Sequence, residues 1–328
     1  MKKLVNELDQ YVTEMLNGLV SANPSLRRVE GTQVLVRREL SAKVGLVSGG
    51  GSGHEPAHAG FVGTGMLDGA VSGEVFTSPT PDQVYAAINE VNQGKGVLLI
   101  IKNYTGDVMN FEMAADMARA EGIDVAQVIV ADDVAVENST YTIGRRGIAG
   151  TVFVHKIAGA AAEAGLSLQE VHRIAQKVTE NVRSMGMALT PCTVPANGKP
   201  SFDLEEQEVE IGIGIHGEPG IERTSLQSAN ATAEFLFGKI VNDLPLTSGD
   251  EVAIMVNGMG ATPLSELFIV NHHVADLTSE KKLKVHKTLI GEFMTSLEMA
   301  GFSLSVLKLD EELKKFLDAP TSAPAWPR

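Results

Sequence analysis

Short apolar runs rich in β-branched residues alternate along this chain with segments of helical periodicity, and that alternation constrains the fold more than any other feature. Strands separated by helices bury their faces by packing the helices on a sheet, so the expected class is α/β. In the first half the expected strands are 44–48, 70–76, 97–102 and 125–131. Between the second and third, "TPDQVYAAINEVNQG" predicts a helix with Thr80 as cap, Pro81 in the first turn, Gln83 completing a capping box and Gly94 closing it. Helices over 151–163 and 168–185 follow, the second opened by Ser167. The proline-bearing "TPCTVPANGKPSFDLEE" reads as a connection or surface excursion, with a domain boundary near residue 184. Beyond it come a strand over 208–215, a helix over 232–241, the strand "DEVAIMVNG", a helix over 263–273, and strands near Leu289 and over 303–308. The expectation is two α/β domains, 1–184 and 185–328, each a mixed β-sheet flanked by helices, with the tail "APTSAPAWPR" lying over the surface.

Charge narrows the function. The 41 acidic side chains outnumber 27 basic ones and no long basic block occurs, which argues against a sequence-independent grip on nucleic acid or anionic membrane. The single cysteine, Cys192, cannot form an internal disulfide, and the opening "MKKLVNELDQYVTEML" breaks its apolar residues with charge where a signal peptide would not. No stretch approaches the roughly 20 apolar residues of a membrane helix. A soluble, cytosolic protein with no nucleic-acid or membrane partner is expected.

The stretch "KVGLVSGGGSGHEPAHAG" carries four glycines among five residues before His54, Glu55 and His58. A P-loop requires a lysine after its last glycine, and none follows here. The dinucleotide pattern fails in both registers, with His54 or Pro56 where the third glycine belongs. The literal H-E-x-x-H zinc pattern needs both histidines on one continuous helix, which Pro56 opposes. Two readings stay open: a pocket floor for a small uncharged polar ligand with His54 at its rim, or a tight strand-to-helix turn whose histidine caps backbone groups.

Two other segments bear on the choice. In "EVEIGIGIHGEPG", Ile211, Ile213 and Ile215 alternate with Gly212 and Gly214, predicting a strand with one bare face that ends at His216, where α/β proteins bind ligands. His216 could instead be an ordinary turn histidine. In "VLLIIKNYTGD" a buried-looking strand delivers Lys102, and Asp107 follows at a helix start. Asp107 is either an N-cap or a general base; on the residues alone the cap is favoured. Asp132 and Asp133 read as a turn, Arg145 and Arg146 as solvated or structural, and Met109, Met113 and Met117 as a core stripe at i, i+4 spacing.

Taken together, "SGGGSGHEP", "GEVFTSPTPDQ", "IIKNYTGD", "YTIGRRGIAGT", "CTVPANGKPSF", "GIHGEPG" and "NGMGATPLSEL" closely resemble the dihydroxyacetone-binding subunit of bacterial dihydroxyacetone kinases, in order and over nearly the whole chain. The resemblance implies that His216 holds dihydroxyacetone as a covalent hemiaminal, and that Asp107 is the base for the hydroxyl to be phosphorylated, assisted by His54. It also implies that Gly51, Ser52, Gly53 and Lys102 hold the triose. It implies no metal or nucleotide in this chain. ADP or ATP with magnesium would sit on a separate helical subunit, recharged in many bacteria by a phosphocarrier of the phosphoenolpyruvate phosphotransferase system, and the subunit itself would be a homodimer. The alternative is a non-catalytic paralogue that senses dihydroxyacetone and presents it to a transcriptional co-activator.

Overall fold

The computed structural model describes residues 2–137, 139 and 142–327; Tyr141, which opens the motif "YTIGRRGIAGT", lies outside them. In chain order the elements are α1 (Tyr11–Ala22), β1 (Leu26–Arg28), β2 (Val34–Arg37), β3 (Gly45–Ser52), β4 (Gly69–Val75), α2 (Pro81–Val91), β5 (Val97–Lys102), α3 (Thr105–Ala120), β6 (Val125–Val130), α4 (Thr151–Glu163), α5 (Leu168–Asn181) and β7 (Val182–Ala188). They continue with β8 (Glu208–Ile211), β9 (Glu222–Ser225), α6 (Ala229–Asp243), β10 (Glu251–Gly258), α7 (Leu264–Glu280), β11 (Lys284–Glu292), β12 (Gly301–Leu309) and α8 (Glu311–Asp318).

Two mixed six-stranded sheets result, in the orders β1-β2-β4-β3-β5-β6 and β11-β10-β12-β7-β8-β9. In the first, β4, β3, β5 and β6 run parallel, and β3 and β5 are buried along their whole length. That burial is why β5 reads as the unbroken apolar run VLLII instead of an alternating pattern. α5 packs through Val171, Ile174, Ala175 and Val178, spaced i, i+3, i+4, i+7, and Ser167 caps it by accepting from the Glu170 amide at 3.3 Å. Each fully buried aliphatic side chain of this kind contributes about 1.5–3 kcal/mol. The sheets share a core: Leu46 and Ile100 of the first belong to one buried cluster with Met255, Phe293 and Leu307 of the second.

Several local expectations are corrected. α5 stops at Asn181, and 182–188 is β7, held in register along β12 with Ser184 Oγ 2.6 Å from Ser305 Oγ; strand pairing overrides the helical period there. β3 does not end at Ser48 but continues through Gly49–Ser52 beside β4, so three of the glycines are strand residues and not a turn. β8 stops at Ile211, because Gly212 takes φ +77° and turns the chain. Ile211 then packs in the core of the second sheet while Ile213 and Ile215 pack in the shared one. Thr80 makes no side-chain cap bond, and Gln83 instead accepts from the Gln33 amide at 2.9 Å. Met109, Met113 and Met117 are not core but 61%, 55% and 40% exposed, because α3 buries Phe111, Ala114, Ala115 and Ala118 instead. The tail is anchored: Ser322 and Ala325 donate backbone bonds to Thr64 and Gly60, and Trp326 is buried in the shared core.

Candidate active site

The site lies at the carboxyl ends of β4, β3 and β5. From β3 the chain passes to β4 on one side and then to β5 on the other, and such a reversal leaves a crevice at the strand ends. The glycines of β3 make room there. A Cβ on Gly50 would lie 2.4 Å from Lys102 Nζ, so the lysine at the end of β5 occupies the volume that a side chain would take. A Cβ on Gly51 would lie 2.5 Å from the Thr77 amide.

His54 follows directly and is fully buried. Its Nδ1 lies 2.8 Å from the Thr295 carbonyl. A carbonyl only accepts, so Nδ1 carries the proton and Nε2 is a bare acceptor, buried and without a partner. The second half of the chain supports this placement: the Leu297 amide donates to the Gly53 carbonyl at 2.7 Å, and Asn257 holds the Phe293 and Met294 amides at 2.8 and 2.9 Å. Burial first, then the charges of His216 and Lys102, hold the His54 imidazole well below its ordinary pKa, so it stays neutral. Its ring stacks on Phe76 at 5.0 Å; Phe76 sits at φ 57°, a conformation that costs a side chain of this size about 1–3 kcal/mol.

Lys102 and Asp107 meet across the same point. Lys102 is fully buried, and its Nζ lies 3.4 Å from Asp107 Oδ2. Asp107 is not the N-cap of α3, correcting the cap reading: Tyr104 takes that position, and the Asp107 carboxylate sits inside the first turn with Oδ1 buried and unpartnered. Ser52 lies close in sequence, yet its hydroxyl donates to the Gly73 carbonyl at 2.7 Å, so its proton is committed to the β3–β4 pair.

His216 reaches the site from the second half. Its ring meets His54, Phe76 and Tyr104 edge-on, with centroids 4.7, 5.2 and 4.6 Å away. Its Nδ1 is 2.8 Å from Glu218 Oε1, while Glu218 Oε2 accepts from the His216 amide at 2.9 Å. Burial alone would raise the Glu218 carboxyl, but the charge and hydrogen bond of His216 and the charge of Arg146 pull it down to about 2. An ionised carboxylate only accepts, so His216 Nδ1 holds a proton, and in the neutral form of the ring Nε2 presents its lone pair. The bareness of Gly214 has a cause: a Cβ there would lie 2.1 Å from Glu218 Oε2. The turn is pinned by Arg146, which is buried, pairs with Asp133 at 2.7 Å and donates to the carbonyls of Gly212 at 2.7 Å and Pro219 at 3.3 Å.

Gly51, Phe76, Tyr104, Asp107, His216 and Glu218 line a cavity of about 1580 Å³, while His54 and Lys102 are fully buried and outside its lining. His54 with the glycines, Lys102 with Asp107, and His216 are thus brought together from three separate segments. Glu218, Tyr104, Arg146 and the wall segment Val194–Phe202 were not singled out as site residues from the sequence. That segment was read as a connection, yet Ser201 returns a backbone bond to Cys192 at 2.8 Å and the loop folds over the cavity. The signal that could have found Glu218 is its spacing, two residues from His216 across a glycine. His54 and His58 do not converge on a common point as a zinc pair would: His58 Nδ1 lies 2.9 Å from His155 Nε2. The Tyr104 hydroxyl is buried without a partner, and burial, with Glu218 nearby, holds it well above its ordinary pKa, so it remains a donor.

A buried neutral acceptor, an ammonium, a carboxylate, a phenol and an imidazole lone pair with their free capacity turned inward fit a small ligand with hydroxyls and an electrophilic carbon. Comparison with known proteins agrees. The family model described as the Dak1 domain matches residues 17–325. The "PTS-dependent dihydroxyacetone kinase 1, dihydroxyacetone-binding subunit DhaK" of Listeria innocua is 56% identical over 99% of this chain and 100% of its own length. Among solved structures, the dihydroxyacetone kinase operon co-activator Dha-DhaQ superposes with a TM-score of 0.92 at 38% identity, covering 98% of this chain and 99% of that one. The C. freundii dihydroxyacetone kinase in complex with AMP-PNP and Mg2+ superposes with a TM-score of 0.90 at 38% identity, covering 99% of this chain and 61% of that one.

Proposed function

This chain belongs to the Dak1 domain family, and on that premise we propose that it is the dihydroxyacetone-binding subunit of a dihydroxyacetone kinase, a phosphotransferase. The observation that carries the reading is the 2.8 Å contact of His216 Nδ1 with Glu218 Oε1, which commits Nδ1 as donor so that the neutral ring has Nε2 free to attack a carbonyl. The Nε2 lone pair forms the N–C bond and the carbonyl π pair moves to oxygen. That oxygen gains a proton as Nδ1 gives one up, and Glu218 holds the transient positive charge of the ring. Such an adduct selects ketones over polyols such as glycerol, which hydrogen bonds alone separate poorly. The unpartnered Nε2 of His54, Oδ1 of Asp107 and hydroxyl of Tyr104 then receive the triose hydroxyls, with Lys102 donating. Asp107 takes the proton of the terminal hydroxyl as its oxygen bonds to phosphorus and the donor P–O bond breaks.

The phosphoryl group arrives from outside this chain. The proposal includes a separate helical subunit carrying ADP or ATP with magnesium, a phosphotransferase-system phosphocarrier that recharges it, and a homodimeric state of this chain. The cavity, far larger than a triose, leaves space for a donor to enter. The likeness to a co-activator supports a second reading, a dihydroxyacetone sensor without turnover. Asp107 weighs against it, because holding a ketone requires no base.

The test pairs two measurements. Native mass spectrometry and carbon-13 spectra with carbonyl-labelled dihydroxyacetone should show a tetrahedral bound carbon that is absent in His216→Asn. Turnover with the donor subunit and phosphodonor should give dihydroxyacetone phosphate. An adduct without turnover, in the presence of an active donor, selects the sensor; neither adduct nor turnover sinks both readings.

A further inference from the structure

His58 is the residue of the HEPAH segment that the reaction as described leaves unused, and its surroundings define its protonation. The Ser48 hydroxyl donates to the Ile100 carbonyl at 2.6 Å, so toward His58 it offers only lone pairs. His58 Nδ1 lies 3.4 Å from that oxygen and 2.9 Å from His155 Nε2. One proton on His58 Nδ1, shared between two acceptors, makes both contacts hydrogen bonds. His155 then carries its own proton on Nδ1, which is likewise buried and without a hydrogen-bond partner, and His58 Nε2 is left as a bare lone pair, buried and without a partner. Both rings are buried, His58 at 4% and His155 at 0% exposure.

His58 Nε2 lies close to the reacting groups beside Gly50. The point at which Gly50 would carry a Cβ is 3.7 Å from His58 Nε2, 2.4 Å from Lys102 Nζ and 3.4 Å from Asp107 Oδ2. An ammonium has three protons to place; among the described residues the hydrogen-bond acceptor of Lys102 is Asp107 Oδ2 at 3.4 Å, with the Tyr104 ring centroid 5.7 Å from Nζ.

We infer that His58, locked in one tautomer by His155, is a positioning residue whose unpartnered Nε2 lone pair attracts the nearby Lys102 ammonium without a hydrogen bond in this structure and keeps it from closing onto Asp107. The consequence rests on the kinase reading above. A lysine drawn into a tight pair would make Asp107 a weaker base and would turn its N–H groups away from the ligand. With the His58 lone pair as a second attraction, the ammonium is not drawn fully onto Asp107 and keeps a proton for a triose oxygen. His58 itself touches neither substrate nor donor.

The experiment compares His58→Leu with His58→Gln in the full chain, assayed with the donor subunit, with adduct occupancy on His216 measured separately. The amide oxygen of glutamine can stand in for Nε2, whereas leucine fills the space without an acceptor. His58→Leu is expected to lower kcat by about 100-fold while the adduct persists, and His58→Gln to recover to within about tenfold of the native chain. Equal losses in the two variants, or full turnover in the leucine variant, would overturn the inference. Should the leucine variant not fold, nitrogen-15 spectra of the native chain decide: an unprotonated His58 Nε2, with coupling through the bond from Nδ1 to His155, supports the inference, and a protonated Nε2 refutes it. Failure of the kinase reading looks different, since the native chain itself would then show neither adduct nor turnover.

Discussion

Glu218 sets the reactivity of His216 by claiming the proton on Nδ1, so a change at this carboxylate should act on the adduct before it acts on phosphoryl transfer. Glu218→Gln can turn its amide nitrogen toward Nδ1 and favour the other tautomer. Loss of a charge-assisted bond worth about 2 kcal/mol should weaken the adduct by roughly 30-fold, read as a displaced binding curve for labelled dihydroxyacetone. Asp107→Asn should do the reverse, keeping the adduct and reducing turnover by about 100-fold or more; unchanged turnover would return Asp107 to a structural role. Neighbouring glycines of β3 should part company in the same way. A Cβ on Gly49 would lie 2.3 Å from the Val71 carbonyl of the paired strand, so Gly49→Ala should cost about 3 kcal/mol in a denaturant titration. A Cβ on Gly50 meets side-chain ends and no backbone, Lys102 Nζ at 2.4 Å, Asp107 Oδ2 at 3.4 Å and His58 Nε2 at 3.7 Å, so Gly50→Ala should fold normally and lose triose binding. At this scale the sequence was legible in residue type: His54, Lys102, Asp107 and His216 stand out by position after strands. The partner of each was not, because Glu218 and Thr295 become neighbours only when the chain folds.

Elements deliver these residues, and the turn from Gly212 to Pro219 shows how. An isoleucine-glycine alternation has the period of a strand, yet β8 ends at Ile211 because Arg146 draws the Gly212 and Pro219 carbonyls onto its guanidinium. Arg146→Met would strand the buried Asp133 carboxylate and should cost about 3–5 kcal/mol. Adding Asp133→Asn removes the stranded charge and should recover stability, but the turn stays unheld and adduct formation stays slow. Recovery of both would mean that Arg146 serves the fold alone. α3 teaches the converse point. Its methionines repeat at i, i+4, the signature of a buried stripe, but the helix buries its alanines and Phe111 instead, in one cluster with Leu99 and Ile101 of β5 and Val125 of β6. Periodicity identifies a face without saying which face is covered.

Across the whole molecule, three buried histidines tie stability to pH. Burial is the first cause in each: His54 and His58 lie well below their ordinary pKa, and His155 is lowered to about 3. Above about pH 6.5 both folded and unfolded chains hold these rings neutral, so they add nothing to the pH dependence. As pH falls below that value the unfolded chain takes up protons that the folded chain refuses, and each ring removes about 1.4 kcal/mol per pH unit until its folded pKa is reached. Urea midpoints should therefore fall steeply from about pH 7 to pH 5, and His155→Gln should flatten that slope by one proton; an unchanged slope would mean that His155 titrates normally in the folded state. The alternation of strand and helix determined, without any tertiary information, that this chain forms α/β layers, since each apolar run must be covered locally by what lies beside it in sequence. Which glycine faces a lysine, which histidine keeps a bare nitrogen, and that a proline-rich segment folds over the cavity were decided only by tertiary structure. Those properties belong to contacts between residues far apart in the chain, such as His54 with Thr295, 241 positions away, and no local pattern encodes such a distance.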